Sequence, residues 1–125
     1  MTTPRDLLRV LDDPAAPAFV VSDEPGEVLL TLVAHILLAD GDLSDDEVRA
    51  VERLLGGRKK PPRETLMELA GRPLDYQRLA DLFPDPRDRD DVVTLAEHGV
   101  WGDDKVEPGE VDILDKLAEV LKVVR

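Results

Sequence analysis

The sequence predicts an all-α fold, a single-domain bundle of about seven helices that spans residues 1–125. Apolar residues make up 42% of the chain but aromatic residues only 3%, so the core has to be built from Leu, Val and Ala. This composition favours helices packed on helices over a β-sandwich, whose strands use more β-branched and aromatic residues. No run of useful length alternates as a strand would, and the chain is long enough for one domain with a core.

An internal repeat also supports a helical bundle. Residues 29–55 align without a gap to residues 92–118. Identical residues recur at corresponding positions, among them His35 and His98, Asp40 and Asp103, and Glu47 and Glu110. Each copy predicts an apolar helix, an acidic turn and an amphipathic helix. We expect two helical hairpins, related by a pseudo-twofold axis, that bury their apolar faces against each other.

The seven helices follow from their start and stop signals. The predicted spans are residues 4–11, 24–39, 45–55, 62–70, 74–83, 86–100 and 108–121. Thr3 followed by Pro4 begins the first helix, and Asp23 or Glu24 begins the second. The second helix is apolar on nearly every face, which predicts that it forms the buried centre of the bundle.

Capping residues, prolines and glycines delimit the remaining helices. Ser44 and Glu47 form a capping box at the start of the third helix, which the glycines at 56–57 end. A proline or glycine marks at least one end of each later helix: Pro61, Gly71, Pro84, Pro86 and Pro108. The fourth helix offers Met67 to the core among other apolar residues, and the seventh carries an apolar stripe that begins at Val111.

Composition excludes several functional classes. The chain has 28 acidic against 16 basic residues and a net charge of −12, which argues against direct binding to nucleic acid or to anionic membranes. It fits cations, basic protein surfaces or solubility alone. The absence of Cys excludes disulfides, a thiolate nucleophile and a thiolate metal site. A basic cluster at residues 58–63 lies in a Pro-containing connection, and we interpret it as a solvated loop rather than a phosphate site.

The N-terminal residues lack the pattern of a signal peptide. The longest apolar run, residues 28–39, is too short to span a bilayer. We therefore expect a soluble, cytoplasmic protein that does not insert into a membrane.

The first acidic turn is the strongest candidate for chemistry. Asp40, Asp42 and Glu47, with a glycine between the two aspartates, match the back half of an EF-hand loop, in which the final Glu is a bidentate ligand. The front half is missing, because Ile36 and Leu38 occupy positions that should carry oxygen ligands. The turn therefore predicts a site for a hard cation rather than a true EF-hand. The alternative is that these carboxylates cap a helix without any metal.

The second turn is a weaker copy of the first. Its candidate ligands are Asp103 and Glu110, while Lys105 replaces the second aspartate. His35 and His98 precede the two turns and would add nitrogen ligands suited to a transition metal, or would instead interact with helix C-terminal carbonyls. The cofactor predicted for these turns is a divalent cation, Ca²⁺, Mg²⁺, Mn²⁺ or Zn²⁺.

Catalysis has little support in the sequence. No Gly-rich phosphate loop, HExxH or GxSxG motif occurs, and Ser22 and Ser44 lie where turns and caps explain them. The carboxylates lie on solvated turns, where nothing would raise a pKa to make a general acid. We predict that the protein is not an enzyme, and we assign no catalytic and no cofactor-binding residue other than the metal candidates.

The segment 38–47, LADGDLSDDE, together with its flanking helices and the weaker second copy, resembles the TerB-like domains of tellurite-resistance proteins. A similar domain precedes the J-domain in DjlA-type co-chaperones. The resemblance covers residues 28–121. It implies an all-helical pseudo-twofold bundle without known catalytic activity, and it places cation binding at Asp40, Glu47, Asp103 and Glu110.

The resemblance also implies partners. TerB-like proteins associate with other stress-response proteins at the inner face of the membrane, so we expect a protein partner that positions the chain there without membrane insertion. The apolar C-terminal end leaves room for a homodimer. The alternative function is a purely structural or scaffolding module for protein interaction, with no metal site.

Overall fold

The computed structural model describes residues 2–13, 15, 17, 19–39, 43, 45–56, 58–98 and 108–123. Across these ranges the chain forms seven α-helices and no strand, which confirms the all-α prediction. In chain order the helices are α1 (Pro4–Asp12), α2 (Glu24–Leu37), α3 (Asp45–Val51), α4 (Pro62–Ala70), α5 (Tyr76–Leu82), α6 (Pro86–His98) and α7 (Pro108–Leu121). None of them combines the length and the apolar character needed to cross a bilayer.

The helices share a hydrophobic core with α2 at its centre. Ten of the fourteen residues of α2 are buried, and this helix packs against α4, α5, α6 and α7. The same cluster of buried side chains extends from Leu7 in α1 to Leu121 in α7. The prediction that the second helix is the buried centre is confirmed.

The starts of α1 and α2 follow from side-chain capping. Thr3 Oγ1 accepts a hydrogen bond from the Asp6 N–H at 3.3 Å, and the Asp6 carboxylate accepts one from the Thr3 N–H at 3.0 Å, which completes a capping box. Asp23 caps α2 by accepting from the Gly26 N–H at 3.1 Å. A Cβ on Gly26 would overlap the Val21 side chain, so only glycine fits this close approach.

The third helix differs from its prediction. It is α-helical only over Asp45–Val51 and tightens into a 3-10 helix over Glu52–Leu55. Gly56 follows as the C-cap at φ −60° and ψ 147°, and Gly57, which would occupy the C′ position where a left-handed glycine is expected, lies outside the described residues. The predicted cap residue Ser44 lies outside the described residues.

Two apolar residues predicted for the core are exposed. Met67 is 59% exposed because the buried face of α4 is formed by Thr65, Leu66 and Leu69, and Met67 lies about 150° around the helix from the middle of that face. Val111 is 39% exposed, since it lies about 100° from the centre of the buried stripe of α7. Both predictions were wrong because neighbouring helices cover only one side of α4 and α7.

The two predicted copies of the repeat meet in the core. Their first helices, α2 and α6, pack against each other, and α6 also packs against α7. The turns that would complete the hairpins, residues 40–44 and 99–107, lie almost entirely outside the described residues, as does the predicted extension of α6 to residue 100. The pseudo-twofold relation between the hairpins therefore stays a prediction.

Candidate functional site

Most of the predicted cation ligands lie outside the part of the chain that the structure describes. This applies to Asp40, Asp42 and Asp103, and to the side chains of His98 in α6 and Glu110 in α7. Glu47 is described and lies half-buried in α3. Among the described residues, no three carboxylate or imidazole side chains gather as a metal site requires. The proposed ligand set stays a prediction.

An arginine lies at the end of the first acidic turn. Arg63, in the first turn of α4, donates to the Leu43 carbonyl at 2.5 Å and to the Asp45 carboxylate at 2.5 Å. Leu43 is buried, whereas the Asp45 side chain is 90% exposed. This guanidinium joins α4 to the start of α3 and brings a positive charge to the acidic segment. The sequence predicted a solvated loop for the basic cluster that ends at Arg63, whereas Arg63 lies in α4, as the predicted span 62–70 also has it, and its side chain reaches across to α3.

His35 connects α2 to Arg72, two residues after the end of α4. Its Nε2 lies 2.6 Å from the Arg72 carbonyl oxygen. Because a carbonyl can only accept, Nε2 carries the hydrogen and donates it. The Nε2 atom is thereby engaged in packing two elements together, which leaves Nδ1 as the one nitrogen of His35 that could ligate a metal.

A second charged site lies beside α4, and the sequence did not predict it. It is a cleft of about 210 Å³, here called the cationic cleft, lined by Arg58, Lys59, Lys60, Thr65, Glu68, Leu69 and Arg72. The basic residues 58–60 precede α4, and Arg72 follows its last turn. The cleft therefore brings together cations from both ends of one helix.

Two carboxylates link three of the four cations of the cleft, Arg58, Lys60 and Arg72, in a continuous chain of ion pairs. Glu27 of α2 accepts from Arg58 and, at 3.3 Å, from Arg72. Glu68 accepts from Lys60 at 2.5 Å and from Arg72 at 3.5 Å. The Arg58 and Glu27 side chains are only 23% and 32% exposed, so this end of the chain of ion pairs is partly shielded from solvent.

The ion pairs keep their members charged. The hydrogen bond from Lys60, and the charge of that lysine, lower the pKa of Glu68. The same hydrogen bond and the charge of Glu68 raise the pKa of Lys60. Both groups are therefore ionised at neutral pH, and the four cations of the cleft outnumber the carboxylates around them: Glu27 and Glu68, which form ion pairs, and Glu64, whose charge acts on Lys60.

The TerB-like resemblance is carried by the acidic segment 38–47 and its flanking helices, and it stays a prediction. No family model, curated protein or solved structure matches the chain.

Proposed function

We propose that the chain is a non-enzymatic, cytoplasmic TerB-like module that binds a divalent cation at the acidic segment 40–47 and acts through a protein partner. The observation that carries the proposal is that five carboxylates fall within these eight residues, which follow the central helix α2 and include the first three residues of α3. Carboxylate oxygens are the ligands that hard divalent cations prefer.

The flanks of the acidic segment support a site whose shape is set by the fold. Before the segment α2 ends at Leu37, which is 1% exposed, and within the segment Leu43 is 6% exposed. Arg63 then fixes the start of α3 against α4. Five carboxylates within eight residues repel one another, and a bound cation would relieve that repulsion.

Relief of this repulsion gives the proposed mechanism. Cation binding would tighten the angle between α2 and α3 and would stiffen the apolar surface that a partner recognises. The C-terminal end of α7 is our candidate for that surface, because Val120 and Val123 are only partly buried against the core.

A calorimetric titration tests the proposal. Chelator-treated protein is titrated with Ca²⁺, Mg²⁺, Mn²⁺ and Zn²⁺ at physiological salt, and we expect saturable binding of at least one cation at roughly millimolar concentration or below. The double variant Asp40→Asn/Glu47→Gln should lose this binding. The control Glu64→Gln/Glu119→Gln removes the same charge from exposed positions on α4 and α7 and should retain it.

A scaffolding module without a metal is the second candidate, and Arg63 favours it. This arginine already supplies a positive charge to Asp45, so the segment does not need a metal for its neutralisation. The variant Arg63→Gln separates the two functions. If the segment binds a cation, loss of the competing guanidinium should tighten that binding several-fold, whereas a scaffold should lose only stability. Absence of saturable binding in both the parent protein and Arg63→Gln would favour the scaffold.

A further inference from the structure

The cationic cleft is positively charged, whereas the protein as a whole is negatively charged. The chain carries a net charge of −12, yet Arg58, Lys59, Lys60 and Arg72, four of its sixteen basic residues, line this one cleft. Grouping like charges is unfavourable unless an anion compensates them. Glu27 and Glu68 form ion pairs with three of these cations and Glu64 acts on Lys60, so the cleft still carries net positive charge.

The uncompensated positive charge of the cleft, and the N–H donors that its ion pairs leave available, suit a phosphate group. A phosphate group carries about −1.5 to −2 at pH 7 and three acceptor oxygens. The ion pairs with Glu27 and Glu68 engage two of the N–H groups of Arg72, and a guanidinium has five. Lys59 and Lys60 add ammonium donors at the same cleft. Thr65 is not a donor here, since its hydroxyl donates to the Pro61 carbonyl at 3.1 Å.

The ion pairs also hold the side chains of the cleft in place before a ligand binds. Glu27 holds Arg58 and Arg72, and Glu68 holds Lys60 and Arg72. Side chains that are already ordered lose less conformational entropy when they bind a ligand. The carboxylates therefore act as positioning groups, although each also competes with an incoming anion.

The size of the cleft limits the ligand. Its volume of about 210 Å³ is below the roughly 300–1,000 Å³ of pockets that enclose drug-sized molecules. From charge, donors and size together, we propose that the cationic cleft binds a small phosphate-type oxyanion. This inference rests on residues of α2, α4 and the segment before α4, so it does not depend on the proposed cation site.

The test is a titration of the ¹⁵N-labelled protein with inorganic phosphate, followed by amide NMR shifts at constant ionic strength so that screening does not change. We expect saturable shifts at residues 58–72. Lys59→Gln/Lys60→Gln changes two exposed lysines and should weaken binding about tenfold. The control Arg87→Gln/Lys122→Gln removes two exposed charges elsewhere and should bind as the parent protein does.

A single variant distinguishes an anion site from a merely structural network. Glu68→Gln removes one negative charge from the cleft and frees donors of Lys60 and Arg72, so it should tighten phosphate binding several-fold. A parallel titration with phenyl phosphate distinguishes free phosphate from a phosphate ester, and tighter binding of the ester would assign the cleft to esters. Absence of saturable shifts with either compound, or equal weakening in both double variants, would overturn the proposal.

Discussion

The helices α2 and α6 begin the two predicted copies of the repeat, but the fold uses them differently. Leu32 and the aligned Leu95 are both fully buried. Ala34 is also fully buried, whereas the aligned Glu97 is exposed. The difference arises because α2 is surrounded by four helices, while α6 packs against α1, α2 and α7 and keeps a solvent face.

This comparison shows what a repeated pattern can specify. The shared apolar positions define the stripe that faces the core, and that stripe is buried in both helices. Thr31 and Thr94 also keep the same local bond, since each hydroxyl donates to the carbonyl four residues earlier, at 2.8 Å and 3.0 Å. What covers the opposite face depends on the helices between the copies. Substitutions at aligned positions can therefore measure how differently the fold encloses α2 and α6.

Exchanging the residue types at the aligned positions 34 and 97 should give the largest difference in the free energy of unfolding. Ala34→Glu places an unpaired carboxylate in the core and should cost about 3–5 kcal/mol of unfolding free energy. Glu97→Ala, on the solvent face of α6, should change it by at most about 1 kcal/mol. Urea unfolding of the two variants measures both. Similar losses would mean that α6 is as enclosed as α2.

Truncation of the aligned leucines should give the next largest effect. Leu32→Ala and Leu95→Ala each leave a cavity, and each should cost about 2–5 kcal/mol. We expect Leu32→Ala to cost more, because the four helices that surround α2 can shift less to fill the cavity. Urea unfolding with equal m-values for both variants provides the comparison. A larger loss for Leu95→Ala would contradict the central role of α2.

Much of the fold was predictable because start and stop signals are local. Thr3, Asp23 and Gly71 lie at helix ends as their residue types predict. Met67 and Val111 were misplaced because hydrophobicity does not reveal which side of a helix its neighbours cover. The 3-10 end of the third helix was not predicted either, because the sequence there continues the apolar pattern of an α-helix.

The two charged sites differ in how visible they are in the sequence. The acidic segment 40–47 is contiguous, so its composition alone makes it a candidate. The cationic cleft depends on Glu27 and Arg72, which are 45 residues apart and meet only after α2 and α4 have packed. The local signal that could have pointed to it is the i,i+4 pair of Glu68 and Arg72. The basic residues at 58–60 were visible, but their partners were not.

The helix starts offer a subtler comparison, beginning with α2. The Asp23 carboxylate accepts from the Thr2 N–H at 2.6 Å as well as from Gly26, and the hydrogen bonds from Thr2 are the main cause that lowers its pKa. Asp23→Ala should cost about 0.5–2 kcal/mol at neutral pH, as loss of a helix cap does. Because the pKa in the fold lies below the unfolded value near 4, this contribution is present above that value and is lost as the pH falls through the folded pKa. Unfolding measured from pH 7 to pH 3 should show a weaker acid dependence in the variant, and an unchanged dependence would contradict this role.

At the start of α6 the pKa of an aspartate is shifted in the opposite direction, and we expect the smallest effect on stability. Burial, followed by the nearby charges of Asp85 and Asp91, raises the pKa of Asp88. The ionised form is thus less favourable in the folded state, so Asp88 lowers stability as the pH rises from the unfolded value near 4 through the folded pKa. Asp88→Asn should therefore unfold at slightly higher urea concentration than the parent protein at pH 7 and should lose that advantage below pH 4. A lower midpoint at pH 7 would mean that the favourable interaction of this carboxylate with the first turn of α6 outweighs its burial and its acidic neighbours.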